Sequence, residues 1–160
     1  MKLTEASYKD IETISKLADT IWNQHYRSII TQQQIDYMLG KMYSLNSLRD
    51  QMMNEGHRFL LIGSEEKILG FISVKPEAGS EWFLNKFYID QTFAAKGIGS
   101  AAFDQLVKLL KPSKMTLTVN RQNYKSINFY FKKGFVIERV ADFDIGEGYV
   151  MNDFVMVRLS

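Results

Sequence analysis

The sequence predicts an α/β domain: a mixed sheet with helices on both faces. Three observations predict it. The apolar pattern shifts from helical spacing to strand-like runs near Gly56, and then the two alternate. The elements read in the order strand, two or three helices, three strands, helix, strand, helix, two strands. Apolar residues make up 46% and charged residues 24% of 160, which suits one globular domain with a real core.

"KLTEA" alternates weakly and reads as the first strand. Ser7 and Asp10 resemble a capping box before a helix whose Ile11, Ile14, Leu17, Ala18, Ile21 and Trp22 share one face. Thr31 with Gln34 gives a second helix start, continued by Ile35, Met38, Leu39 and Met42. Ser47 to Asn54 reads as a short third helix. "HRFLLIGSEEKILGFISVKP" is two apolar strands around "GSEEK", a hairpin. "EWFLNKFYID" is a third strand, rich in aromatics. Gly99 to Lys111 forms a helix with Ala102, Phe103, Leu106, Val107 and Leu110 inward, stopped before Pro112. "KMTLTVN" is a short strand, and "NYKSINFYFKKG" a helix closed by Gly134 in left-handed geometry. "FVIERVADF" and "YVMNDFVMVRL" are two last strands around "DIGEG".

There is no internal repeat, low-complexity run or linker, so residues 1–160 read as a single domain. The chain has no cysteine, which excludes disulfides, thiolate metal sites and a cysteine nucleophile. A reducing cytoplasm is the expected location. The polar start is unlike a signal peptide, and no apolar run approaches a membrane span. His25 and His57 show no metal-ligand spacing, so no metal is expected. A net charge of +2 is too mild to indicate nucleic acid.

The segment "FAAKGIGSAAF" carries chemistry. Two glycines follow a strand and open an amphipathic helix, with Lys96 just before them. Bare backbone amides and the helix dipole at such a start suit a phosphate; an ordinary turn is the plainer reading. The spacing is neither that of a Walker A loop nor that of a dinucleotide fingerprint. Downstream, "VNRQNYKSINFYFKKGF" adds Asn120, Asn123, Ser126, Tyr130 and Gly134-Phe135.

With both segments in this order, the chain resembles the GNAT superfamily of acyl-CoA-dependent N-acetyltransferases, over roughly residues 81–135. The resemblance implies a twisted, mostly antiparallel sheet of about seven strands, with acetyl-CoA as co-substrate. By it, Gly97, Ile98, Gly99 and Ser100, with Ala94, Ala95 and Lys96 in the same loop, would hold the coenzyme A pyrophosphate. Ala94 is a departure, since the family usually has Arg or Gln there. Phe87, Tyr88 and Ile89 would run beside the pantetheine, with a backbone NH near Tyr88 stabilising the oxyanion. Asn123 would bond the pantetheine or nearby backbone, although Asn also suits a helix start. Apart from the resemblance, Arg121, Lys125, Lys132 and Lys133 on the next helical unit either meet further phosphates or form a solvated helix face.

By the same resemblance, Tyr130 would protonate the leaving thiolate. A phenol at ~10 against a thiol at ~8.5 makes that donation weakly driven. A core tyrosine is the alternative. Glu81, in phase with Phe83, Asn85 and Phe87, is the candidate base for the acceptor amine.

Trp22, His25 and Tyr26 fall where the family's acceptor wall lies, and residues 21–48 are similar to bacterial spermidine/spermine acetyltransferase-like members. Asp142, Asp144, Glu147 and Asp153 suit a polycationic acceptor, or form a solvated hairpin tip. The implied function is transfer of acetyl from acetyl-CoA to a primary amine of a small molecule or peptide. The alternative is a non-catalytic acyl-CoA-binding module, for which Ala94 is the sequence support. Neither a nucleic acid nor a membrane partner is expected, and the last strands allow a homodimer.

Overall fold

The chain is described by a computed structural model covering residues 1–93 and 97–160. Its strands form a seven-stranded sheet in the order β1-β2-β3-β4-β5-β7-β6. The described residues group into two units. One holds Met1–Lys75 and Lys86–Lys111, the other Pro76–Asn85 and Pro112–Ser160. The cut falls inside β4 (Glu81–Ile89), which contributes to both.

In the first unit, β1 (Lys2–Glu5) pairs antiparallel with β2 (Arg58–Gly63), and β2 pairs antiparallel with β3 (Ile68–Pro76). Phe59 to Ile62 and Phe71 to Val74 are buried, as a near-continuous apolar hairpin requires. Asp90 N donates to Leu69 O at 2.8 Å, so the end of β4 lies beside the start of β3. A 3-10 turn, Tyr8–Asp10, precedes α1 (Ile11–His25). Ser7 N donates to Asp10 Oδ2 at 2.8 Å, as the expected capping box requires. Next come α2 (Gln32–Tyr43) and α3 (Leu45–Met53). Thr31 caps α2 by accepting from Gln34 N at 3.1 Å. The third helix starts two residues before the expected Ser47. Ser44 is its cap, and its Oγ accepts from Ser47 N at 3.2 Å. The inward stripe of α1 is Ile11, Ile14, Ala18, Ile21 and Trp22.

Successive β4 side chains reach opposite faces. Phe87 meets Phe103 of α4 (Ile98–Leu110), with ring centroids 6.4 Å apart. Lys86 bonds Gln51 of α3, and Tyr88 bonds Tyr26 beside α1. Helix α4 therefore covers one face of this unit's sheet, and α1 to α3 cover the other.

In the second unit, the first residues of β4 pair parallel with β5 (Lys114–Asn120), from Glu81 opposite Lys114 to Phe83 opposite Thr116. Strand β5 pairs antiparallel with β7 (Tyr149–Leu159), which pairs antiparallel with β6 (Val136–Gly146). The β6–β7 turn uses three positive φ values, at Gly146, Glu147 and Gly148. Helix α5 (Tyr124–Lys132) buries Ile127 and Tyr130, and its end is closed by Gly134 at φ 93°. At the sheet edge, β6 exposes Val136, Ile137 and Val140.

Candidate functional site

The glycine segment opens α4 as its spacing implied. Gly97 is the N-cap, at φ 72° in the left-handed region, and no side chain of the described residues caps the helix. A Cβ at Gly97 meets no atom of the described residues within 4 Å. The residue is needed for its backbone angle. The amides of Ile98, Gly99 and Ser100 fall in a first turn, where no intrahelical acceptor exists. Three such donors and the positive helix end fit a diphosphate. Ala94, Ala95 and Lys96 lie outside the described residues.

Along β4, Phe87 and Tyr88 are half-buried and Ile89 is buried. The main chain of β3 comes close at this point. A Cβ on Gly70 would collide with Tyr88 O and lie 2.9 Å from Ile89 Cα. Glycine at position 70 thus lets the backbones approach where the oxyanion-binding amide was expected.

Tyr88 also anchors an aromatic cluster that gathers all three expected acceptor-wall residues. Its ring lies 5.8 Å from Trp22, 5.9 Å from Phe71 and 6.4 Å from both His25 and Tyr26. The Tyr26 and Tyr88 hydroxyls are 3.1 Å apart. Trp22 Nε1 donates to the Tyr43 hydroxyl at 3.3 Å. Trp22 is buried, the core fate its helical stripe implied, and so are Tyr26 and Tyr43. Burial pushes the Tyr43 phenol far above its ordinary range, so it stays protonated and able to donate.

Sequence reasoning missed Lys86. It is buried, its Nζ donates to Gln51 Oε1 at 2.6 Å, and the rings of Tyr43 and Phe59 lie 5.6 and 5.4 Å away. Burial lowers it to about 7, with Glu55 pulling the other way. Nearby His57 is lowered to about 4, by burial first and then by Lys86 and Lys75. A lysine in the middle of "FLNKFYI" was the available signal.

In the second unit, Tyr130 is buried on α5, with the rings of Phe129 and Phe135 each 5.4 Å away. Asn123 is buried and serves as the α5 N-cap, its Oδ1 accepting from Ser126 N at 3.3 Å. The helix-start role is therefore filled by this side chain. Lys133 is half-buried, and its carbonyl accepts from Arg158 Nε at 2.9 Å. Glu81 is half-buried at the start of β4, opposite Lys114.

The acidic group of the last hairpin separates into distinct roles. Asp142 pairs with Arg121 at 2.9 Å, and Asp144 Oδ1 accepts from Gly146 N at 2.9 Å. Asp153 is instead buried in the strand. Among the described residues, no group of His, Asp or Glu has metal-binding form, and no helix is long and apolar enough to cross a membrane.

Residues 18–135 match the acetyltransferase (GNAT) family. A spermidine N(1)-acetyltransferase of Thermoplasma acidophilum is 27% identical over 145 residues, 86% of this chain and 89% of that protein. Among solved structures, the PaiA N-acetyltransferase of Thermoplasma acidophilum in complex with coenzyme A superposes at a TM-score of 0.81. It shares 25% identity, over 99% of this chain and 98% of that one. A GCN5-related N-acetyltransferase of Rhodopseudomonas palustris shares the fold at a TM-score of 0.82 and 15% identity, over 99% and 95% of the two chains.

Proposed function

Because the chain belongs to the acetyltransferase (GNAT) family, we propose that it moves the acetyl group of acetyl-CoA to a primary amine of a small molecule. The observation that carries this reading is the start of α4. A left-handed glycine, with no side-chain cap and no atom within 4 Å of an added Cβ among the described residues, presents the first-turn amides of a 13-residue helix. That is an anion site built from main chain, and it does not need the side chain that Ala94 lacks. The pantetheine would run along Phe87, Tyr88 and Ile89, as an added strand does.

The chemistry is direct attack by the neutral amine on the thioester carbonyl. The oxyanion forms beside the β4 main chain near Tyr88, and Tyr130 returns a proton to the departing thiolate. A polyamine acceptor is supported by the spermidine-acetylating relative from Thermoplasma acidophilum. The cluster of Trp22, His25, Tyr26 and Tyr88 supports it too, since aromatic faces and hydroxyls attract a cation. The exposed apolar edge of β6 supports a homodimer.

A turnover screen over spermidine, amino acids and aminoglycosides tests the reading, together with Tyr130→Phe. We expect turnover with at least one amine. The variant should lose ~10²-fold in kcat while coenzyme A affinity holds, the range of general acid catalysis. An unchanged chemical step removes Tyr130 from the mechanism. Coenzyme A binding with no turnover on any amine makes the chain a binding module.

A further inference from the structure

On the reading that this chain acetylates a primary amine, we propose that His25 is the base that takes the proton of the acceptor's ammonium group. His25 is the last residue of α1 and is half-buried, so it borders both the aromatic cluster and solvent. Its ring makes T-shaped contacts with Tyr26 at 4.9 Å and with Tyr88 at 6.4 Å between centroids. These residues lie together in the first unit, as does the Tyr88 main chain that Gly70 lets β3 approach.

The chemistry of the neighbours selects this residue. Phenols ordinarily hold their proton to ~10, so the hydroxyls of the cluster suit binding an amine and not deprotonating it. Burial pushes Tyr43 higher still. Lys86 is buried, with its Nζ held on Gln51 Oε1. His57, the second of two histidines, is lowered to about 4 by burial, then by Lys86 and Lys75, which makes it a weak base. Asp90, just past β4, is tied to Gln24 of α1 at 3.4 Å. Against the effect of burial, bonds from Thr92 and Gln24 hold its carboxyl below the usual range.

An imidazole ordinarily titrates at ~6.5, where a base for an amine at neutral pH works best. From β4, His25 meets Tyr88, with Asp90 two residues further on; from its own segment it meets Tyr26, followed by the exposed Arg27. Its place in the last turn of α1 also matters. The negative end of the helix favours an imidazolium once the proton has arrived. Tyr26 and Tyr88, with hydroxyls 3.1 Å apart, set oxygen and ring faces beside the imidazole, which suits a primary alkylammonium.

The proton balance closes. His25 takes one proton from R–NH₃⁺ and becomes an imidazolium, freeing the nitrogen lone pair. The R–NH₂ nitrogen bonds to the thioester carbon, the C–S bond breaks, and the second N–H proton balances the one given to the thiolate. The products are the amide and the free thiol, and the proton on His25 passes to solvent.

The test compares wild type with His25→Gln from pH 5.5 to 10, using acetyl-CoA with spermidine and with a simple alkyl monoamine. We expect kcat/KM to fall ~10²-fold at pH 7 with coenzyme A affinity unchanged by calorimetry. The wild-type acid limb, expected between about pH 5 and 8, should vanish. The deficit should shrink toward pH 10, where the acceptor is its own free base. His25→Ala is the second variant, and serves if His25→Gln fails to fold. Free imidazole should restore its kcat/KM at least several-fold, a gain that a merely structural role would not give.

Equal activity in His25→Gln overturns the assignment, as does a loss of the same size at every pH or a His25→Ala that imidazole leaves unchanged. Two other groups titrate in the same window, since burial lowers Lys86 to about 7 and raises Asp153 to about 6. A limb that survives His25→Gln but disappears in Lys86→Met, Asp153→Asn or Glu81→Gln also overturns it. Wild type that turns over no amine defeats the proposed function itself. Turnover that is indifferent to His25 defeats this assignment alone.

Discussion

Replacing Lys86 with methionine separates the cost of a buried charge from the worth of its contacts. The ammonium has one close hydrogen bond, to Gln51 Oε1 at 2.6 Å, and two ring faces at 5.4 and 5.6 Å. Burial lowers the group from 10.5 to about 7. At about 1.4 kcal/mol per pH unit, the gap amounts to at most about 5 kcal/mol of lost stability when the lysine is charged.

The penalty is fully present below about pH 7. Between pH 7 and 10.5 the unfolded chain holds more protons than the folded one, so stability rises with pH. His57, lowered to about 4, titrates below this window. Unfolded Tyr43 begins to ionise near pH 10, so the slope is best read from pH 7 to 9.5. Methionine keeps the apolar stem but leaves Gln51 Oε1 without its donor, at a cost of about 1–3 kcal/mol. Gln51 Nε2 keeps its bonds to Met42 O and Ser47 Oγ.

Lys86→Met should therefore be about 2–4 kcal/mol more stable than wild type at pH 6. That advantage should disappear by pH 9.5, and the variant should lose the rise seen in wild type. Urea unfolding at four pH values measures both. Parallel pH profiles for the two proteins would show that Lys86 is not a buried, destabilising cation.

Two glycine predictions follow from backbone geometry. Gly70→Ala places a Cβ against Tyr88 O, so it should cost at least about 2 kcal/mol in urea unfolding; a neutral effect would mean β3 and β4 do not approach closely there. Gly97→Ala meets no described atom, so it should cost only about 1 kcal/mol, from its φ of 72°. Coenzyme A affinity should nevertheless fall several-fold by calorimetry, because a side chain disfavours the left-handed angle that starts the helix. Undiminished affinity would place the diphosphate elsewhere.

The helix starts were legible wherever they depended on residues within one turn. Asp10 meeting Ser7 N, Thr31 capping α2 and Gly134 closing α5 follow from short-range hydrogen bonds and a positive φ. Ser44 was overlooked as a cap because α2 and α3 share that residue, the C-cap of one and the N-cap of the other. Glu81 follows from the resemblance and from strand alternation, which reports a face of the strand and not what covers it.

By itself, the sequence determined the order of elements, the helix opened by Gly97 and the helix that Asn123 starts and Gly134 closes. These features rest on backbone angles, helix ends and periodicity, all set by near neighbours in the chain. Only the tertiary structure decided that Lys86 is held against Gln51, Tyr43 and Phe59, and that Asp153 lies between Asn120 and Ala141 with one oxygen unpartnered among the described residues. Both residues stand in strands whose faces are covered or paired by segments distant in sequence. Desolvation of a charge is created by that packing, and no local pattern of residues encodes it.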